Sequence, residues 1–251
     1  MRSHCLAAVI FIILLFGAST VYAVPVLYDW AFNLNGELYT PSSTYSAPAS
    51  DQLPGYVDDS DFDWVAGLGT ITMTYNPDVD TNYFLISFFD HEIDEPANTY
   101  FNEFGEVVGK PAAGQSWEID EPGYIFGDIR TRYREEPLGS DNLVVDRTGN
   151  VERGSLDNFN NVKKGFEEDV SMALGWDFSL ASDEEALVSF IVSDKPPDDF
   201  YLSHSDPQSE ATIYFSSSID IQPVPEPATL FLVGIGIVGL LGLTRRRAIQ
   251  R

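Results

Sequence analysis

The chain has 251 residues, with 39 acidic against 14 basic side chains, a formal net charge of −25, 44% hydrophobic and 13% aromatic residues and a single cysteine. So acidic a balance excludes a nucleic-acid-binding surface, which needs lysine and arginine in excess. The apolar and aromatic content excludes a disordered chain, and one cysteine excludes a disulfide framework.

In chain order, Arg2, the apolar run 6–16 and Val21-Tyr22-Ala23 form the three regions of a secretory signal peptide over residues 1–23, with cleavage after Ala23. Cys5 leaves with it, so the mature chain has neither a thiol nucleophile nor a cysteine-ligated metal site. Residues 24–222 are long enough for one sizeable core and carry 38 acidic against 9 basic side chains, a surface that favours solubility and collects cations.

Within this ectodomain, residues 41–55 are rich in Pro, Ser, Ala and Thr and read as a long loop. Asp59-Ser60-Asp61-Phe62-Asp63 begins like an EF-hand, but Trp64 stands at the glycine position and Thr70 at that of the closing glutamate. Residues 70–75 alternate with threonine on one face. Residues 82–89, 186–192 and 212–221 are rich in β-branched and aromatic residues. The clearest strand is 170–180, where Val170, Met172, Leu174, Trp176, Phe178 and Leu180 alternate with Ser171, Ala173, Gly175, Asp177 and Ser179, the pattern of a half-buried strand. Turn formers such as Asn76-Pro77-Asp78 and Asp206-Pro207 separate these runs, and helical windows are few. The expected fold is all-β, an antiparallel β-sandwich with the jelly roll as one form of it, flanked by an N-terminal signal helix and a single C-terminal transmembrane helix.

One repeat stands out. Glu92-Ile93-Asp94-Glu95-Pro96 recurs as Glu118-Ile119-Asp120-Glu121-Pro122. In extended chain Ile93 and Ile119 point inward, Glu92, Asp94, Glu118 and Asp120 point outward, and proline ends each ladder. These acids supply hard oxygen ligands of the kind Ca²⁺ takes, so Glu92, Asp94, Glu95, Glu118, Asp120 and Glu121 are candidate calcium ligands. A carboxylate pair could also act as acid and base on a glycosidic bond, which depends on a separation that sequence does not give. Beside the second copy, Trp117 is a candidate for stacking on a sugar.

Nucleophilic catalysis has no comparable footing. His91-Glu92 lacks a second histidine at zincin spacing, and Gly114-Gln115-Ser116-Trp117-Glu118 lacks the second glycine of a nucleophile elbow. Ser203-His204-Ser205-Asp206 is read as a loop, not a triad. Seven of the nine ectodomain cations lie between Arg130 and Lys164, a segment expected to form a surface hairpin with internal charge pairs.

At the far end, Val224-Pro225-Glu226-Pro227 breaks any helix or ladder, residues 228–244 carry no charge, and Arg245-Arg246-Arg247 follow. The apolar run is near the shortest length that spans a bilayer, and the arginines would hold its end in the cytoplasm. Gly234, Gly236 and Gly239 match the dinucleotide-binding spacing but lack a preceding strand and a following acid, and suit helix packing in lipid instead. Motif, span and basic end together resemble the PEP-CTERM sorting signal of exosortase-processed bacterial envelope proteins, over residues 223–247. The resemblance implies recognition of Pro225-Glu226-Pro227 by a membrane-embedded exosortase, a membrane-anchored precursor, and a final place in the cell envelope or an exopolysaccharide-rich biofilm matrix. Two functions follow as expectations: a non-enzymatic envelope or matrix protein that binds carbohydrate with structural calcium, or a secreted carbohydrate-active enzyme using a carboxylate pair.

Overall fold

A computed structural model describes residues 25–41, 53–94, 99–122, 127–135 and 143–224. Ala23, Glu95, Pro225, Glu226, Pro227 and Arg245–Arg247, with the signal peptide and the apolar tail, lie outside them. Among the described residues no helix is long and apolar enough to cross a membrane.

Strands β1 (Pro25–Leu34), β2 (Glu37–Tyr39), β3 (Val57–Asp63), β4 (Leu68–Tyr75), β5 (Thr81–Ile93), β6 (Phe104–Val108), β7 (Gln115–Asp120), β8 (Arg132–Glu135) and β9 (Leu143–Arg147) precede the one-turn helix α1 (Asn150–Arg153). After it come β10 (Ser171–Leu180), β11 (Glu184–Ser193), β12 (Tyr201–Asp206) and β13 (Ala211–Pro223). Sheet A has the order β2-β1-β5-β10-β7, sheet B the order β3-β4-β11-β13-β12-β6, and β8-β9 form a separate hairpin. All strand pairs are antiparallel, giving the all-β sandwich.

Alternation explains how the sheets face each other. Trp30, Phe32, Leu85, Phe89, Ile119, Met172 and Leu174 of sheet A meet Phe62, Ile71, Met73, Phe190, Leu202 and Phe215 of sheet B in one core. The β1–β2 turn is Asn35-Gly36, both residues at positive φ, as a two-residue hairpin turn matched to strand twist requires. Edge strand β3 is studded with Asp58, Asp59, Asp61 and Asp63, charges that discourage pairing with another chain. The EF-hand-like run is thus an acidic edge, where Asp59 accepts from the Trp64 indole at 2.7 Å.

Two expectations are corrected. Ser171, Ala173 and Gly175 are not on a solvent face; they are fully buried, whereas Asp177 and Ser179 further along the strand are exposed. The cause is the segment expected to be a surface hairpin. It folds back over the outer face of sheet A, where Ile129, Val151 and Leu156 pack with Ala31, Ile86, Phe88 and Ala173 in a second core. Nor are its charge pairs only internal: Arg130 bonds Glu152 and also Asp29 of β1 at 3.2 Å, and lies 5.0 Å over the Phe88 ring.

The same strap closes one side of the sandwich. The amide of Ile119 on β7 donates to Phe159 O and Asn161 N to Ile119 O, while Gly105 N on β6 donates to Val162 O at 2.7 Å. Residues 159–162 therefore tie an edge of sheet A to an edge of sheet B. A Cβ on Gly105 would meet Ile119 Cγ2 at 2.5 Å, so glycine is what lets the two sheets approach there.

Candidate cation site

Glu118 and Asp120 alternate with Ile119, and Asp90 and Glu92 with His91 and Ile93. Because Ile93 and Ile119 belong to the central core, these acids face away from it, as the repeat implies. Exposure to solvent does not follow: the strap covers them, leaving Glu118 fully buried and Asp90, Glu92 and Asp120 at 2%, 6% and 3% exposure.

Strand pairing sets their neighbours. Ser171 at the start of β10 stands opposite Asp90 on β5 and opposite Asp120 on β7. Two groups of three acids result, Asp90 with Glu92 and Asp169, and Glu118 with Asp120 and Asp128, each with one carboxylate oxygen per residue within 4.8 Å of the others.

The second group is furnished with donors. Asp120 Oδ1 accepts from Glu121 N at 2.9 Å and Oδ2 from Asp128 N at 2.7 Å, a cap that turns the chain back as it leaves β7. Glu118 accepts from Asn150 Nδ2 at 2.8 Å and Asp157 N at 3.3 Å. Burial raises Glu118 to about 8 and Asp120 to about 6, the latter against the lowering effect of its amide donors.

The first group differs. Asp90 Oδ1 and Asp169 Oδ1 are buried and have no hydrogen-bond partner among the described residues. Burial, followed by the charges of Asp169, Glu92, Asp29 and Glu103, pushes the Asp90 carboxyl well above the usual range. Asp169 is raised to about 8, again by burial first and then by Glu92 and three further glutamates. Two buried carboxylate oxygens, Asp90 Oδ1 and Asp169 Oδ1, thus stand beside further acids with no hydrogen-bond donor of their own among the described residues, an electrostatically costly arrangement.

The structure thus places Glu92 in one group and Glu118 and Asp120 in the other. Glu121 is buried beside them, its Oε2 accepting from Gly127 N at 3.2 Å, and Asp94, at φ 59°, belongs to neither group. Asp90, Asp128 and Asp169 are additional members. Asp90 could be found from its period-two spacing to Glu92, but Asp128 and Asp169 arrive through the strap and carry no local signal. Trp117 is half-buried against the central core, so packing occupies part of the ring proposed for sugar stacking. His204 is not in a loop: it lies on β12, fully buried, with Nε2 2.6 Å from Glu103 Oε2.

Residues 223–247 match the model of the PEP-CTERM protein-sorting motif. The motif implies an exported, membrane-anchored precursor processed by an exosortase. No curated protein and no solved structure matches the chain.

Proposed function

We propose that the protein is a non-enzymatic component of the cell envelope or the extracellular matrix, delivered by its C-terminal signal and built to hold carbohydrate on a sandwich stabilised by calcium. The observation that carries this reading is the sorting motif at residues 223–247. The buried state of the gathered carboxylates supports a structural role over the alternative of a glycosidase, whose acid and base must reach a saccharide. In cells that express the matching exosortase, replacing Pro225-Glu226-Pro227 by alanines leaves a full-length, membrane-retained precursor. Processing indistinguishable from the parent chain would refute the sorting assignment.

One cleft supports the carbohydrate part of this reading. A cleft of about 710 Å³ opens where β7, β10 and β13 approach residues 197–201, lined by Lys110, Gln115, Asp198, Asp199 and Tyr201 above Trp176. Polar groups around the partly exposed ring of Tyr201 suit the hydroxyl-bearing face of a sugar. Tyr201→Ala lowers retention of the protein on an immobilised exopolysaccharide several-fold without release of reducing sugar; equal retention of variant and parent removes the cleft as the site, and turnover favours the enzymatic reading.

A further inference from the structure

The two acid groups on the outer face of sheet A look alike in sequence and differ in chemistry. In the group of Glu118, Asp120 and Asp128, the Glu118 and Asp120 carboxylates receive four hydrogen bonds, from Asn150, Asp157, Glu121 and Asp128. Backbone and amide donors there do the work that a cation would do. The group of Asp90, Glu92 and Asp169 leaves Asp90 Oδ1 and Asp169 Oδ1 buried with no hydrogen-bond partner among the described residues, in a chain whose Asp90 is 2% exposed.

We propose that Asp90, Glu92 and Asp169 bind one calcium ion, and that the Glu118 group binds none. Oxygen-only donors select a hard cation, and the distances between the three carboxylates leave room for calcium's long metal–oxygen bonds and irregular shell. Zinc would want nitrogen or sulfur; the nearest histidine in sequence, His91, points to the opposite face, with Nε2 3.0 Å from Gly67 O. Asp169 is half-buried, which leaves a path for the ion and for the waters that complete six to eight ligands.

The ion has a structural task at this position. Asp90 and Glu92 end β5, and Asp169 closes the strap two residues before β10, so one cation pins the strap to the sheet it covers. Calcium is plentiful outside the cell and scarce in the cytoplasm, so the pin would form after export. This inference rests on the calcium part of the reading above and is independent of the sorting tail: a chain that binds no calcium can still be processed.

The test titrates Ca²⁺ into full-length protein purified in detergent and stripped with chelator, in excess Mg²⁺ to occupy the diffuse acidic surface. Calorimetry is expected to give one site with a dissociation constant of about 10⁻³ M or tighter, within the range of extracellular calcium modules, and saturating Ca²⁺ raises the melting temperature by several degrees. Asp169→Asn and Asp90→Asn weaken binding at least tenfold, while Asp128→Asn leaves it unchanged. Because Asp169 is partly exposed, its variant remains informative if Asp90→Asn does not fold. Absence of binding to the folded parent protein overturns the proposal, and so does binding that survives Asp169→Asn or is lost in Asp128→Asn.

Discussion

Phe89→Ala is expected to destabilise the protein by about 3–5 kcal/mol, the usual cost of deleting a buried aromatic ring. Phe89 is 1% exposed and sits on the central strand of sheet A, where its ring meets Phe32 at 5.9 Å, Phe62 at 5.4 Å and Phe215 at 5.2 Å. Phe62 and Phe215 belong to sheet B, so the ring is a direct link between the sheets. Edge-to-face and stacked pairs each add about 0.5–1.5 kcal/mol beyond the area they bury. Set against a total stability of about 5–15 kcal/mol, the loss is a large fraction of what holds the fold. Urea unfolding followed by tryptophan fluorescence measures it; a loss below about 1.5 kcal/mol, the level of a volume-conserving swap, would mean that the inter-sheet core is not packed around this residue.

The strands that sequence reveals are those whose large apolar residues alternate with small or polar ones, or that carry a dense run of β-branched and aromatic residues. Residues 70–75, 82–89, 186–192 and 212–221 fall within β4, β5, β11 and β13, and 170–180 begins one residue before β10. Strand β1 escapes because Trp30 to Leu34 are buried on both faces, which erases the alternation; its Asn35-Gly36 turn is nevertheless a strong local signal. Strand β12 escapes, and β7 is seen only at its Glu118–Asp120 end, for a related reason. Their polar residues, Glu118 and Asp120 on one and His204 on the other, are interior residues with partners distant in sequence. The repeat draws attention to Glu92, Glu118 and Asp120, but only the pairing of β10 with β5 and β7 shows that they fall into two groups, and with which other acids and donors.

The buried pair of Glu103 and His204 gives the second large effect. Glu103 Oε1 accepts from Ile93 N at 3.3 Å and Oε2 lies 2.6 Å from His204 Nε2, both side chains fully buried. Burial raises Glu103 from 4.5 to about 9 and lowers His204 from 6.5 to about 3, both shifts away from the charged form, so burial favours a neutral carboxyl–imidazole pair over an ion pair despite the spacing. Glu103→Leu strands the Ile93 amide and the imidazole nitrogen together. At about 1–3 kcal/mol for each orphaned group, the expected loss is about 2–6 kcal/mol. Glu103→Gln can donate to His204 and accept from Ile93 as the protonated acid does, and is expected to cost less than about 1 kcal/mol at mildly acidic pH.

The sign of the pH dependence separates the neutral pair from an ionic one. A carboxyl raised from 4.5 to about 9 holds its proton in the folded chain after the unfolded chain has lost it, so its contribution is complete below pH 4.5 and disappears as pH rises toward 9. His204 acts in the opposite direction: lowered to about 3, it contributes fully above pH 6.5 and loses that contribution as pH falls toward 3. The other buried carboxylates share the first slope, which is why the comparison must be between parent and Glu103→Gln at each pH and not within one curve. Glutamine cannot ionise, so the variant gains on the parent by about 1.4 kcal/mol per pH unit above 4.5 and overtakes it in unfolding free energy well before pH 9. An ionised Glu103 facing an imidazolium would reverse the outcome: Glu103→Gln would be strongly destabilising at neutral pH, and its deficit would shrink as the pH falls and the glutamate is neutralised.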